Sequence, residues 1–281
     1  MANNNLPQLK SALNADSIQK KFSEMLGRKS AGFITSITNV VQNNDLLQKA
    51  DVNSIILAAA QAASLDLPIN PNLGFAAIIP FNDRKKGTCV AQFQIQRDGW
   101  VDLCLRTGQF EYIVNEIVYE GELIEKNRFT DTYVFDEEKR ISDKVIGYMA
   151  SFKLTNGYKK TVYWTVEECK KHGMQYSQTF KKNYGLWVDN FNAMSLKSVL
   201  KHLLKKFAPK SIESIAQAIE KDQASFTGDI DNAQAVYVDN VNQVKMQDAE
   251  DVDFTEAEEV VEETAPPVDP IKEAKPDNFD F

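Results

Sequence analysis

Charge is divided along this chain in a way that decides where a fold can be built. Residues 221–281 hold 17 Asp+Glu against 4 Lys+Arg, a balance of −13. Within them, AEDVDFTEAEEVVEETAPPVDP has too little hydrophobicity for its charge to collapse into a core. Residues 1–220 hold 28 Lys+Arg against 23 Asp+Glu, a balance of +5. The net charge of −8 therefore hides a mildly basic body carrying an acidic tail, and the body can meet a polyanion that the whole-chain charge would argue against. The expected organisation is a flexible N-terminus at 1–15, a core at 16–220 and a largely disordered acidic tail at 221–281.

With 281 residues and 43% of them hydrophobic, the chain can bury a sizeable core. Cys89, Cys104 and Cys169 are odd in number, well separated and without CxxC spacing, so neither a disulfide framework nor a zinc site is indicated and a reducing cytoplasm fits. MANNNLPQLK has no apolar leader pattern, and no apolar run reaches spanning length, so no membrane association is expected.

The body reads as α+β. Asp16 is placed to cap a helix through Ile18, Phe22, Met25 and Leu26 with Gly27 as its stop, a second helix carries Phe33 to Val41, and Asp51 caps a third through IILAAAQAAS. After Pro68, Pro71 and Gly74, LGFAAIIPF reads as a strand leading into the turn NDRKKG. In CVAQFQIQ, Phe93 and Ile95 alternate with Gln92, Gln94 and Gln96, the period-two pattern of a half-buried strand with an uncharged polar outer face. Asp98 is placed to cap a short helix closed by Gly108. Further strands are expected at 110–120 and 145–164, the latter turned at Asn156-Gly157, followed by a capping box from Thr165 to Glu168. Leu196, Leu200, Leu203 and Phe207 share one face of a helix expected over 186–207, and a polar helix follows Pro209. The architecture expected is N-terminal helices, an antiparallel sheet with hairpins and a basic C-terminal helical layer.

No GxxxxGK[ST] or GxGxxG occurs, so no nucleotide cofactor is expected. His172 and His202 lie in lysine-rich segments without a nucleophile motif and read as solvated surface residues. Asp136, Glu137 and Glu138 are consecutive and cannot all face one metal from a strand; a solvated turn fits them better than a nuclease centre.

Between Lys170 and Lys210 nine lysines are opposed by Asp189 alone, with Tyr176, Phe180, Tyr184, Trp187 and Phe191 interleaved. Cations with aromatic platforms are what the phosphates and bases of a single strand require. The competing reading is a wet helix face over core aromatics. Arg97 and Arg106 flank the short helix after the glutamine strand, where they serve either as phosphate forks or as partners of Asp98 and Asp102.

Two segments carry a resemblance. QIQRDGWVDLCLRTGQFEYIVNEIVYEGE, Gln94 to Glu122, resembles the signature of the RecT family of phage single-strand annealing proteins in its Gly-Trp, Leu-x-x-Arg-x-Gly and Val-Tyr-Glu-Gly elements. WVDNFNAMSLKSVLKHLLKKFAPKS, Trp187 to Ser211, is similar to that family's C-terminal core helix. The resemblance implies ATP-independent, non-enzymatic annealing of complementary strands, with single-stranded DNA and annealed duplex as ligands. It also implies assembly of copies into rings or helical filaments in a bacterial cytoplasm, beside a phage exonuclease. DNA contacts carried over from it fall on Gln94, Gln96, Arg97 and Arg106 in the first segment and on Lys197, Lys201, Lys205 and Lys206 in the second. Lys85, Arg128, Lys144, Lys181 and Lys182 join them on charge alone. The acidic tail is expected to stay mobile, its like charge weakening nonspecific DNA binding or aiding solubility. The competing reading is that its tip, Asp277 to Phe281, which resembles the acidic-hydrophobic end of bacterial single-strand-binding proteins, recruits or competes for the partners of such a host protein.

Overall fold

The computed structural model describes residues 4–83, 87–127 and 129–236. Four helices open the chain: α1 (Leu6–Leu13), α2 (Asp16–Leu26), α3 (Ser30–Gln42) and α4 (Val52–Ser64). Helix α1 lies in the segment expected to be a flexible N-terminus. Its Leu6, Leu9 and Leu13 repeat on one face, Leu9 and Leu13 are fully buried, and the Asn5 side chain donates to the Ala50 carbonyl at 2.9 Å. Ala15, not Asp16, flanks α2; Asp16 occupies its first turn, where its charge meets the positive end of the helix dipole. Asp51 caps α4 as expected, accepting from the Ser54 amide at 2.8 Å. The alanines of α4 let a nearly all-buried helix lie closely against a sheet.

That sheet has the antiparallel order β1-β2-β8-β9, from β1 (Ala76–Asp83), β2 (Thr88–Ile95), β8 (Ser225–Thr227) and β9 (Gln234–Val236). β1 and β2 form a hairpin in register from Ala76 opposite Ile95 to Asp83 opposite Thr88. Helix α5 (Arg97–Leu105) leaves β2 so closely that a Cβ on Gly99 would stand 2.1 Å from the Phe75 carbonyl oxygen, a space only glycine fits. Gln96, not Asp98, flanks its start.

A second sheet, β3 (Phe110–Tyr119), β6 (Val145–Leu154) and β7 (Lys159–Thr165), is ordered β3-β6-β7, all antiparallel. β4 (Leu123–Asn127) and β5 (Thr132–Phe135) form a separate hairpin inserted between β3 and β6. Asn156 and Gly157 turn β6 into β7, with Gly157 at φ +88. The capping box starts α6 (Val166–Tyr176): the Thr165 hydroxyl accepts from the Glu168 amide at 3.1 Å and the Glu168 carboxylate accepts from the Thr165 amide at 2.7 Å.

Short helices α7 (Gln178–Lys181) and α8 (Leu186–Asp189) precede α9 (Phe191–Phe207), which packs on β6, β7 and β3. The single helix expected over 186–207 is broken at Asn190, whose φ −141 and ψ 61 are not helical. Helix α10 (Glu213–Lys221) follows Pro209, and the chain returns to β2. Asp222, Ala224, Ser225 and Phe226 are buried, so part of the segment expected as tail belongs to the core. Its apolar residues are few, but the ladder to β2 supplies the pairing they need. Residues 237–281 of the expected tail lie outside the described residues. Among the described residues no helix is long and apolar enough to cross a membrane.

Candidate nucleic-acid interface

The polar side of β2 is not the open surface its alternation suggested. Gln92 is buried and donates to the Gln223 carbonyl at 2.7 Å, while Gln94 donates to the Gln92 side-chain oxygen at 2.9 Å. Helix α9 lays Lys197 across the remaining oxygens: its Nζ donates to Gln96 at 3.1 Å and reaches Gln94 at 3.5 Å. Only 9% of Lys197 is exposed, and burial pulls its ammonium down to about 8, with Asp222 opposing the shift and Lys201 adding to it.

Lys201, one turn further along, pairs with the fully buried carboxylate of Asp222 and donates to the Gln223 side chain at 2.6 Å. The other Asp222 oxygen accepts from the Ile95 amide at 2.9 Å. Asp222 and Gln223, which sequence reasoning placed in the tail, thus fasten α9 and the returning chain to β2. Nothing local in the sequence marks them.

Lys205 continues the stripe, half-buried and without an ion pair among the described residues; burial and Lys201 lower its pKa while Asp222 raises it. Lysines at i, i+4 and i+8 of one helix face stand about 6 Å apart along the axis and repel. Of Lys197, Lys201 and Lys205, only Lys201 is in an ion pair among the described residues, with Asp222. Lys206 is exposed beside them, its Nζ 5.4 Å from the Phe207 ring centre, and exposed Arg97 meets Asp98 at 2.9 Å. The structure brings Gln94, Gln96, Lys197, Lys201 and Lys205 together on one surface, with Arg97 and Lys206 next to them in sequence.

Arg106 stands apart. It sits at the far end of α5 from Gln96, donates to the carbonyls of Leu65 and Asp66 at 3.0 Å each, and pairs with Asp102. Those carbonyls close α4, so its donors are spent on a helix end. Lys144 is exposed in the connection into β6, 3.3 Å from Glu120. Lys181 and Lys182 are exposed at the end of α7 with no carboxylate partner among the described residues. Lys85 and Arg128 lie outside the described residues.

The histidines are not solvated surface residues. Both are half-buried against Trp164 of β7, with ring centres 5.1 Å (His172) and 4.9 Å (His202) from its ring. Burial, then Lys201 and His202, push His172 down to about 4; burial and Lys206 lower His202. Asp136 turns inward locally to accept from the Glu138 amide at 3.0 Å in a turn at Glu137–Lys139, and among the described residues no group of three His, Cys, Asp or Glu side chains could hold a metal ion.

Comparison with known sequences gives three findings. The sequence model of the RecT family matches residues 31–238. An uncharacterized protein of Bacillus subtilis (strain 168), YqaK, is 42% identical over 224 residues, 80% of this chain and 75% of that protein. Protein RecT of Escherichia coli (strain K12) is 25% identical over 232 residues, 76% of this chain and 79% of that protein.

Proposed function

Because the chain belongs to the RecT family, whose general role is single-strand annealing in recombination, we propose that it binds single-stranded DNA on the α9 and β2 surface and pairs complementary strands without nucleotide hydrolysis. The observation that carries the surface is the lysine stripe of α9, in which Lys201 alone is paired with a carboxylate among the described residues. Three ammonium groups pressed onto one helix face cost stability unless an anion arrives, and a phosphate backbone supplies one. Lys205, Lys206 and Arg97 are the groups open to make phosphate contacts; Gln94, Gln96, Lys197 and Lys201 form the platform that holds them in place. Contacts to phosphate rather than base edges leave the sequence to be read by the second strand.

In this reading the protein makes and breaks no covalent bond, works in the bacterial cytoplasm, and acts as a ring or filament of copies beside a phage exonuclease. Binding of a fluorescent oligonucleotide across a salt series tests the surface. Each lost phosphate contact lowers the slope of log affinity against log salt by about 0.7 for a single strand. Lys205→Ala with Lys206→Ala should flatten it by about 1.4; a slope equal to the parent's would remove these lysines from the site.

A further inference from the structure

Of the five aromatics interleaved with the lysines, three are used in packing. Phe180, Trp187 and Phe191 form a cluster with ring centres 5.7 Å (Phe180 to Trp187) and 5.8 Å (Trp187 to Phe191) apart. Gly173 permits it, since a Cβ there would stand 2.9 Å from the Phe180 ring and 3.0 Å from that of Trp187. The other two stay outside: Tyr176 is 53% exposed and Tyr184 54%.

Both tyrosines are held in place despite their exposure. The Tyr176 ring lies 4.7 Å from His172, which rests on Trp164. The Tyr184 amide donates to the Thr179 carbonyl at 3.1 Å, between Asn183 at φ +58 and Gly185 at φ +86. In the same α6 to α8 segment Lys170, Lys171, Lys181 and Lys182 are exposed and without an ion pair among the described residues. Glu168 is spent on its capping box, and Glu167, one turn before Lys170 and Lys171 on α6, forms no ion pair with either among the described residues. His172 of α6 and His202 of α9 both lie against Trp164, so this knuckle adjoins helix α9.

We infer that the α6 to α8 knuckle is the part of the site that distinguishes single from double strands, with unpaired bases stacking on Tyr176 and Tyr184 and the four lysines holding the adjoining phosphates. The inference rests on the proposed DNA-binding function. A paired base hides its faces in the duplex stack, so only a single strand can offer them to a tyrosine. Met174, Leu186 and Val188 are also exposed here, which a second copy of the chain could cover. Four exposed lysines without an ion pair among the described residues oppose that occupant, because protein contacts are depleted in lysine while a phosphate backbone neutralises it.

The test measures affinity for an oligonucleotide and for its duplex, with the full chain carrying Tyr176→Ala and Tyr184→Ala, and again with both changed to phenylalanine. The alanine pair should weaken single-strand binding roughly tenfold per ring while duplex binding stays at the parent's level, and the phenylalanine pair should restore it. Equal losses for both DNA forms, no loss, or failure of phenylalanine to restore would overturn the inference, as would a change in sedimentation that made the knuckle a contact between copies. A parent that binds no DNA would instead overturn the proposed function.

Discussion

Lys201 meets Asp222 in an ion pair whose carboxylate is fully buried and whose second oxygen takes the Ile95 amide. This pair joins three parts of the chain, α9, the segment after α10 and the end of β2. Removing one partner leaves the other charged and buried. Asp222→Asn should therefore cost about 3–5 kcal/mol, read by urea unfolding, and combining it with Lys201→Met should recover part of the loss. A loss in the single variant that the double variant does not reduce would show that the charge pairing is not what matters.

Lys197 gives a pH signature. Burial holds its pKa at about 8 against the ordinary 10.5. On unfolding it returns to 10.5, so between those values the unfolded chain carries a proton that the folded one has released, and stability rises with pH through that window. Below pH 8 the whole penalty is present, roughly 3 kcal/mol. Lys197→Met should remove that rise, so that the variant and parent profiles converge from pH 8 to 10.5. Parallel profiles would contradict the assignment.

Arg106 is predicted to support the fold and not the DNA. Arg106→Ala frees the carbonyls of Leu65 and Asp66 at the end of α4 and should lower stability by about 1–3 kcal/mol in urea. Single-strand affinity of the folded variant should equal the parent's. A selective loss of affinity would return Arg106 to the interface.

What the sequence disclosed depended on distance along the chain. The Thr165 capping box, the Asn156-Gly157 hairpin, the Asp51 cap and the basic stripe of α9 are local patterns, and local chemistry writes them directly. Lys197 and Gln96 are 101 residues apart and Ile95 and Asp222 are 127 apart, and no local pattern encodes such contacts. For that reason the glutamine face of β2 reads as solvent-facing until α9 is laid over it. The same holds for Arg106: its motif is legible, but whether its fork meets a phosphate or a helix end is decided by α4, 40 residues away. Helix α1 is the exception, since Leu6, Leu9 and Leu13 have a local helical spacing within a segment expected to be flexible.

In the proposed function the α9 surface holds one strand so that another can pair with it. Fluorescence transfer between labelled complementary oligonucleotides, one preincubated with the protein and without ATP, measures this directly. Lys205 and Lys206 are the positions to change, because Lys201 is tied to the fold through Asp222. Pairing should be faster than in free solution and slowed by salt and by Lys205→Ala with Lys206→Ala. Binding of the first strand with no acceleration of pairing would contradict it and leave a protein that only coats single-stranded DNA.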